Sequence, residues 1–131
     1  MSKYLAFTDI VFANEALLIA ALGDLGYTEI ERGEELPLFG YRGDMRAERA
    51  HLVVRRKHIG TASNDLGFAR TSQGYTPIIS EYDQRTLLGG TFLARLRTAY
   101  NEQVVAEVNR RVSGTLQRKV EGATVKLKIR Y

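Results

Sequence analysis

The stretch NDLGFARTSQGYTPIIS, residues 64 to 80, constrains the fold more than any other part of this chain. Two short runs with aromatic and apolar residues, Asp65 to Arg70 and Tyr75 to Ser80, flank the polar turn TSQG. A connection that short joins antiparallel neighbours and has no room for the crossover that parallel strands need. Just upstream, HLVVRRK (His51 to Lys57) has Leu52, Val53 and Val54 as its apolar heart and reads as the clearest central strand. The sheet is therefore expected to be antiparallel.

The remaining segments supply its partners. Tyr4 to Ile10 (YLAFTDI) reads as a first strand. Asn14 is placed to cap a helix whose apolar positions are Leu17, Leu18, Ala21, Leu22 and Leu25, with Gly26 where a left-handed cap belongs. Thr28 to Glu31 is short and strand-compatible, and RGEELPLFGYRGDMRAERA reads as a loop around a short strand near Leu38 to Tyr41. A long amphipathic helix is expected from about Thr91, with Phe92, Leu96, Tyr100, Val104 and Val108 at steps of four, ending at Ser113-Gly114. After it, Leu116 to Val120, a turn at Glu121-Gly122 and Thr124 to Tyr131 read as a hairpin. In its last strand Val125, Leu127, Ile129 and Tyr131 alternate with Lys126, Lys128 and Arg130. The expected architecture is a single α+β domain over residues 1–131. It has an antiparallel sheet of about five to seven strands, two helices packed on one face and a C-terminal β-hairpin.

Composition excludes several classes. With 44% hydrophobic and 26% charged residues the chain is globular in make-up, and it contains no cysteine. Disulfides, thiolate nucleophiles and cysteine-ligated metals are excluded, which suits a reducing, cytoplasmic setting. Asp9, Asn14 and Glu15 interrupt any signal-peptide core, and no apolar run approaches a membrane span, so no membrane partner is expected. Charge is uneven: residues 1–40 carry two cations against seven acids, a net of −5, leaving +9 of the overall +4 to residues 41–131. A basic face for an acidic partner is consistent with that split.

No motif points to a defined chemistry. GYRG (Gly40 to Gly43) has neither the dinucleotide nor the phosphate-loop spacing. The two histidines, His51 and His58, are seven apart, which in an extended segment points them to opposite faces and argues against a shared metal site. Ser63, His58 and Asp65 are the residue types of a small hydrolytic site, but no oxyanion-hole signature accompanies them. Basic strands bearing Arg55, Arg56, Lys57, Lys126, Lys128 and Arg130 would form a cationic plate able to meet nucleic-acid phosphates. LGFAR supplies one aromatic residue where a base-stacking sheet needs several.

The succession FGYRG, HLVVRRK, NDLGFAR, GYTPIISEYD and FLARLRTAYNEQVV resembles the uncharacterised domain of unknown function family twelve-fifty-seven, which includes hypothetical chloroplast reading frame thirty-five-like proteins. The elements that carry it are Gly40, Tyr41 and Gly43; Asp65, Leu66, Gly67 and Phe68; Gly74 and Tyr75; and Tyr100. The likeness runs from about residue 5 to the C-terminus. The family has no established reaction. Its bacterial members tend to be encoded near AAA-type ATPases, which implies an accessory role.

The resulting expectation is a non-enzymatic binding or adaptor module in a protein assembly, with no cofactor and no metal, and with self-assembly compatible with the reading. The residues expected at its partner surface are Tyr41, Arg42, Arg55, Arg56, Arg70 and Tyr75. Nucleic-acid binding by the basic face is the alternative, and a small enzyme using His58, Asp65 or Ser63 is a second.

Overall fold

In the computed structural model, which describes residues 3–60, 62–87 and 90–122 (side chains excepted at 87 and 115–122), the TSQG hairpin forms where its spacing predicts. Strands β4 (Leu66–Thr71) and β5 (Gly74–Ser80) pair antiparallel, with Phe68 opposite Pro77 and Thr71 opposite Gly74. The Thr71 hydroxyl braces the turn, donating to the Gly74 carbonyl at 3.1 Å and accepting from the Gln73 N–H at 3.2 Å.

Around this hairpin the molecule is α+β with one five-stranded antiparallel sheet. Strand β1 spans Tyr4–Ala6, helix α1 Glu15–Asp24, β2 Glu31–Phe39, β3 Met45–Val54 and helix α2 Phe92–Gly122. The strand order β1-β5-β4-β3-β2 puts β4 at the centre and β1 and β2 at the edges. Leu52 and Val54 of β3 sit opposite Phe68 and Leu66 of β4. With Phe12, Tyr75 and Ile79 they share one buried cluster with Leu18, Ala21 and Leu22 of α1 and Phe92, Leu93, Leu96 and Ala99 of α2. Val53, Gly67 and Ile78 are in register one step out of phase, so Val53 and Ile78 point to the other side of the sheet. There they form a smaller cluster with Tyr4, Leu38 and Ala50.

Helix α1 follows its sequence signals. The Asn14 side-chain oxygen accepts from the Leu17 N–H at 3.0 Å, and Gly26 adopts φ +99° just past the end. A contact distant in sequence completes the cap: the Asn14 N–H donates to the Tyr100 hydroxyl at 3.0 Å.

Four expectations need correction. Strand β1 stops at Ala6 instead of Ile10, and the chain then bends so that Phe12 bridges Tyr75 through two 2.9 Å backbone bonds. The segment read as a loop around a short strand near Leu38 to Tyr41 instead forms the nine-residue edge strand Glu31–Phe39 and, from Met45, the first half of β3, because the outer side of β3 requires a backbone partner. The charges of β2 face solvent, and Pro37 and two register shifts are features that edge strands tolerate. Arg55, Arg56 and Lys57 do not extend β3: it ends at Val54, and Arg56–His58 form one 3-10 turn. Finally, α2 does not end at Ser113-Gly114. A single internal glycine costs about 1 kcal/mol in a helix, too little to stop one by itself. Residues 116–120, expected as a hairpin strand, are helical, while the expected final strand lies outside the described residues.

The apolar stripe of α2 outruns the core. Phe92 and Leu96 are fully buried, but Val108 is 46% exposed and Val105 58%. Gln103, bonded to Asp24 of α1 at 2.7 Å, lies between the two regions. Among the described residues no helix is long and apolar enough to cross a membrane.

Candidate functional site

The polar turn Ser63-Asn64-Asp65 is buried, and it organises one end of the sheet. Asp65 is 1% exposed. One carboxylate oxygen accepts from the Arg56 N–H at 2.7 Å; the other accepts from the Phe39 N–H and from the Arg55 guanidinium, both at 2.8 Å. Its backbone carbonyl accepts from the Tyr4 hydroxyl at 2.6 Å. Asn64 works alongside. Its side-chain oxygen accepts from the Tyr41 N–H at 2.9 Å, its side-chain amide donates to the Ser80 hydroxyl at 2.9 Å, and its own N–H donates to Asp83 at 2.9 Å. Two buried side chains thus tie the β2–β3 turn, the end of β3, the start of β4 and the end of β5 into one node. Buried polar groups require such pairing, because an unpaired one costs its full desolvation penalty.

Arg55 is the cationic centre of this node. Besides Asp65, its guanidinium donates to both oxygens of Glu31 at 2.8 Å and to the Pro37 carbonyl at 2.8 Å, and it lies 5.6 Å from the centre of the Phe39 ring. The Glu31 hydrogen bonds raise its pKa further, and the same contacts hold Glu31 below the usual carboxylate range. Tyr4 is pushed upward, first by burial and then by the negative charge of Asp65. Burial also raises Asp83, whose second carboxylate oxygen has no hydrogen-bond partner among the described residues.

Outside the node lies an open cleft of ≈ 760 Å³, lined by Phe39, Gly43, the segment Arg55 to Gly60, Glu31 and Asp65. Arg55 answers both of those carboxylates. Arg56, Lys57 and His58 line the cleft and make no ion pair among the described residues, although the charge of Lys57 helps to hold Glu31 low. Gly43, at φ +79°, brings the β2–β3 turn beside them: a Cβ there would sit 3.9 Å from the Arg56 guanidinium. On that turn Tyr41 is 36% exposed, and Arg42 reaches back to its hydroxyl at 3.0 Å and stacks 5.4 Å from its ring centre.

The six residues expected at a partner surface therefore divide. Arg56 lines the cleft, while Tyr41 and Arg42 are on the β2–β3 turn whose Gly43 lines it. Arg55 lines it, but four of its five N–H donors are already engaged within the node. Arg70 and Tyr75 are elsewhere, in a second cleft with Glu15, Arg32, Glu34 and His51. There the ring of Tyr75 is only 5% exposed and belongs to the core, because β5 is covered on that side; its hydroxyl donates to Glu15. Arg70 pairs with Glu34 at 3.1 Å, Arg32 pairs with Glu15, and His51 Nδ1 accepts from the Arg70 N–H at 2.9 Å. The Tyr75 bond lowers the Glu15 pKa and raises that of Tyr75. Every formal charge in that cluster is compensated.

Of the small-enzyme set, His58 and Asp65 both border the first cleft, whereas Ser63 is fully buried and does not line it. Asp65 already accepts three hydrogen bonds through its carboxylate, which leaves it poorly placed to serve as a base. Lys126, Lys128 and Arg130 lie outside the described residues. Among the described residues no cluster of three or more metal-ligating side chains occurs. Sequence reasoning missed Tyr4, Glu31, Ser80 and Asp83 as members of the node. Each is tied to Asn64, Asp65 or Arg55 across 16 to 61 residues, and no local pattern marks such contacts.

A family model described as "Protein of unknown function (DUF1257)" matches residues 21–127. No curated protein and no solved structure matches the chain significantly.

Proposed function

Because the chain belongs to the family of proteins of unknown function DUF1257, we propose that it acts as a non-enzymatic binding or adaptor module within a protein assembly. The observation that carries this reading is how the polar residues beside the cleft are used. Asn64, Asp65 and Arg55 are committed to holding backbone and to one another, while Arg56 and Lys57 line an open surface and make no ion pair among the described residues. A hydrolytic centre needs nucleophile and base free together, whereas Ser63 is buried and the Asp65 carboxylate is engaged. Two cations on an open surface supply the chemistry of recognition. The family resemblance implies an AAA-type ATPase as the class of partner.

Affinity purification from the native host, with and without nuclease, tests the reading. The expected result is a companion protein of the ATPase class that survives nuclease and identifies by mass spectrometry. A chain recovered alone as a monomer overturns the adaptor reading. Recovery of nucleic acid whose removal releases every companion turns it toward the nucleic-acid alternative.

A further inference from the structure

The cleft beside Arg56–His58 has two chemical characters. Its lining combines the cations Arg56 and Lys57 with the apolar side chains of Phe39 and Ile59. The two carboxylates that also line it are not free to repel an anion at full strength, because Arg55 bridges both at 2.8 Å. The aromatic rings nearest the cleft, Phe39 and Tyr41, each carry an arginine over one face, Arg55 at 5.6 Å and Arg42 at 5.4 Å. One face of each ring is thus already taken by a side chain of the protein itself, which favours a partner read through charge over one read through base stacking. Gly43 and Gly60 present no side chains at the mouth, so an extended backbone can approach closely.

We propose that this cleft receives a short acidic segment of a partner protein, with carboxylates on Arg56 and Lys57 and an apolar side chain between Phe39 and Ile59. The proposal rests on the binding-module reading and names the chemistry of its partner. Guanidinium and ammonium groups supply attraction and register, and the apolar wall selects against a segment that is acidic alone. The neutral cluster around Arg70 and Tyr75, whose charges are already paired, is not part of the recognition surface.

Fluorescence anisotropy tests this with the intact chain and three labelled probes at low salt. They are a peptide of leucines flanked by glutamates, the same peptide with glutamines for glutamates, and a thymidine oligonucleotide. The glutamate peptide is expected to bind, to weaken as salt rises, and to lose at least about tenfold in affinity in the Arg56→Glu, Lys57→Glu double variant. Only the backbone N–H of Arg56 joins the Asp65 node, so the variant keeps those bonds; equal urea midpoints check that it folds. If the double variant unfolds, the exposed Lys57→Glu alone serves, with a smaller loss expected. Arg97→Glu, on the exposed side of α2, is expected to leave binding unchanged.

Equal binding of the glutamine peptide, or an equal loss in Arg97→Glu, overturns the proposal. So does tighter binding of the oligonucleotide that vanishes in the same cleft variants, which assigns the cleft to nucleic acid. If no probe binds while host purification still recovers a companion, the acidic-segment proposal falls and the adaptor reading stands. If the peptide binds as expected but host purification recovers the chain alone, the adaptor reading falls instead.

Discussion

At the scale of single residues, Asp65 is the clearest case of a group whose role depends on who surrounds it. In the sequence it is a turn aspartate before a strand. In the fold it accepts from two backbone N–H groups and from Arg55 while almost wholly buried. Removing one partner of a buried pair leaves the other uncompensated, so Asp65→Ala is expected to cost about 3 kcal/mol, read as a fall in the urea midpoint. Asp83 is a second buried carboxylate of the same node. Burial raises its pKa above the value of the unfolded chain, so the stability it allows is full below the unfolded pKa and is lost as pH rises through the raised folded value. Asp83→Asn should therefore stabilise the protein more at neutral pH than in acid, with denaturation curves at the two pH values as the check. Glu31, held low by Arg55, works the other way: its contribution is present above its unfolded pKa and fades as pH falls through the folded one.

At the scale of elements, the family signature turns out to mark joints. Gly74, at φ +144°, lies so close to the preceding loop that a Cβ would stand 2.5 Å from the Phe12 carbonyl oxygen. Backbone cannot yield as a flexible side chain can, so Gly74→Ala is expected to destabilise by more than about 1 kcal/mol in thermal or urea unfolding. Gly67 is packed under Ala50 and Leu38, and Tyr100 holds the cap of α1. The α1 boundaries were legible, because capping and left-handed glycines are short-range signals. The far end of α2 and both ends of β2 were not. Ser113-Gly114 reads as a stop, yet the helix passes through it. On that geometry Gly114→Ala should add helix stability of up to about 1 kcal/mol, visible as a higher melting temperature by circular dichroism. No such gain is expected if Gly114 terminates the helix. Strand β2 was hidden because an exposed edge strand need not alternate cleanly, and its charges read as a loop until β3 is seen to require a neighbour.

At the scale of the whole molecule, Phe12 shows how few residues join the layers. It is 2% exposed, meets Phe68 of the central strand edge-on at 6.3 Å and Tyr100 of α2 at 5.1 Å, and bridges Tyr75 through its backbone. Phe12→Ala should cost about 3–5 kcal/mol, a large share of the roughly 5–15 kcal/mol that holds a typical domain, and calorimetry should show a correspondingly lower transition. The same long-range organisation separates the two charged clefts. At the first, Arg56 and Lys57 make no ion pair among the described residues; in the second, Glu15 and Glu34 answer Arg32 and Arg70.

The amino-acid sequence by itself determined the antiparallel hairpin, the start and cap of α1, the beginning of α2 and the family to which the chain belongs. All of these rest on patterns a few residues long or on order along the chain. Only the tertiary structure decided that Glu31 to Phe39 is a strand, that α2 continues past Gly114, and that Arg55 is bound inward while Arg56 and Lys57 face the cleft. The physical reason is distance along the chain. A turn or a cap is set by neighbours, whereas the fate of a charge depends on partners 10 to 36 residues away, as with Arg55 and Asp65 or Arg70 and Glu34.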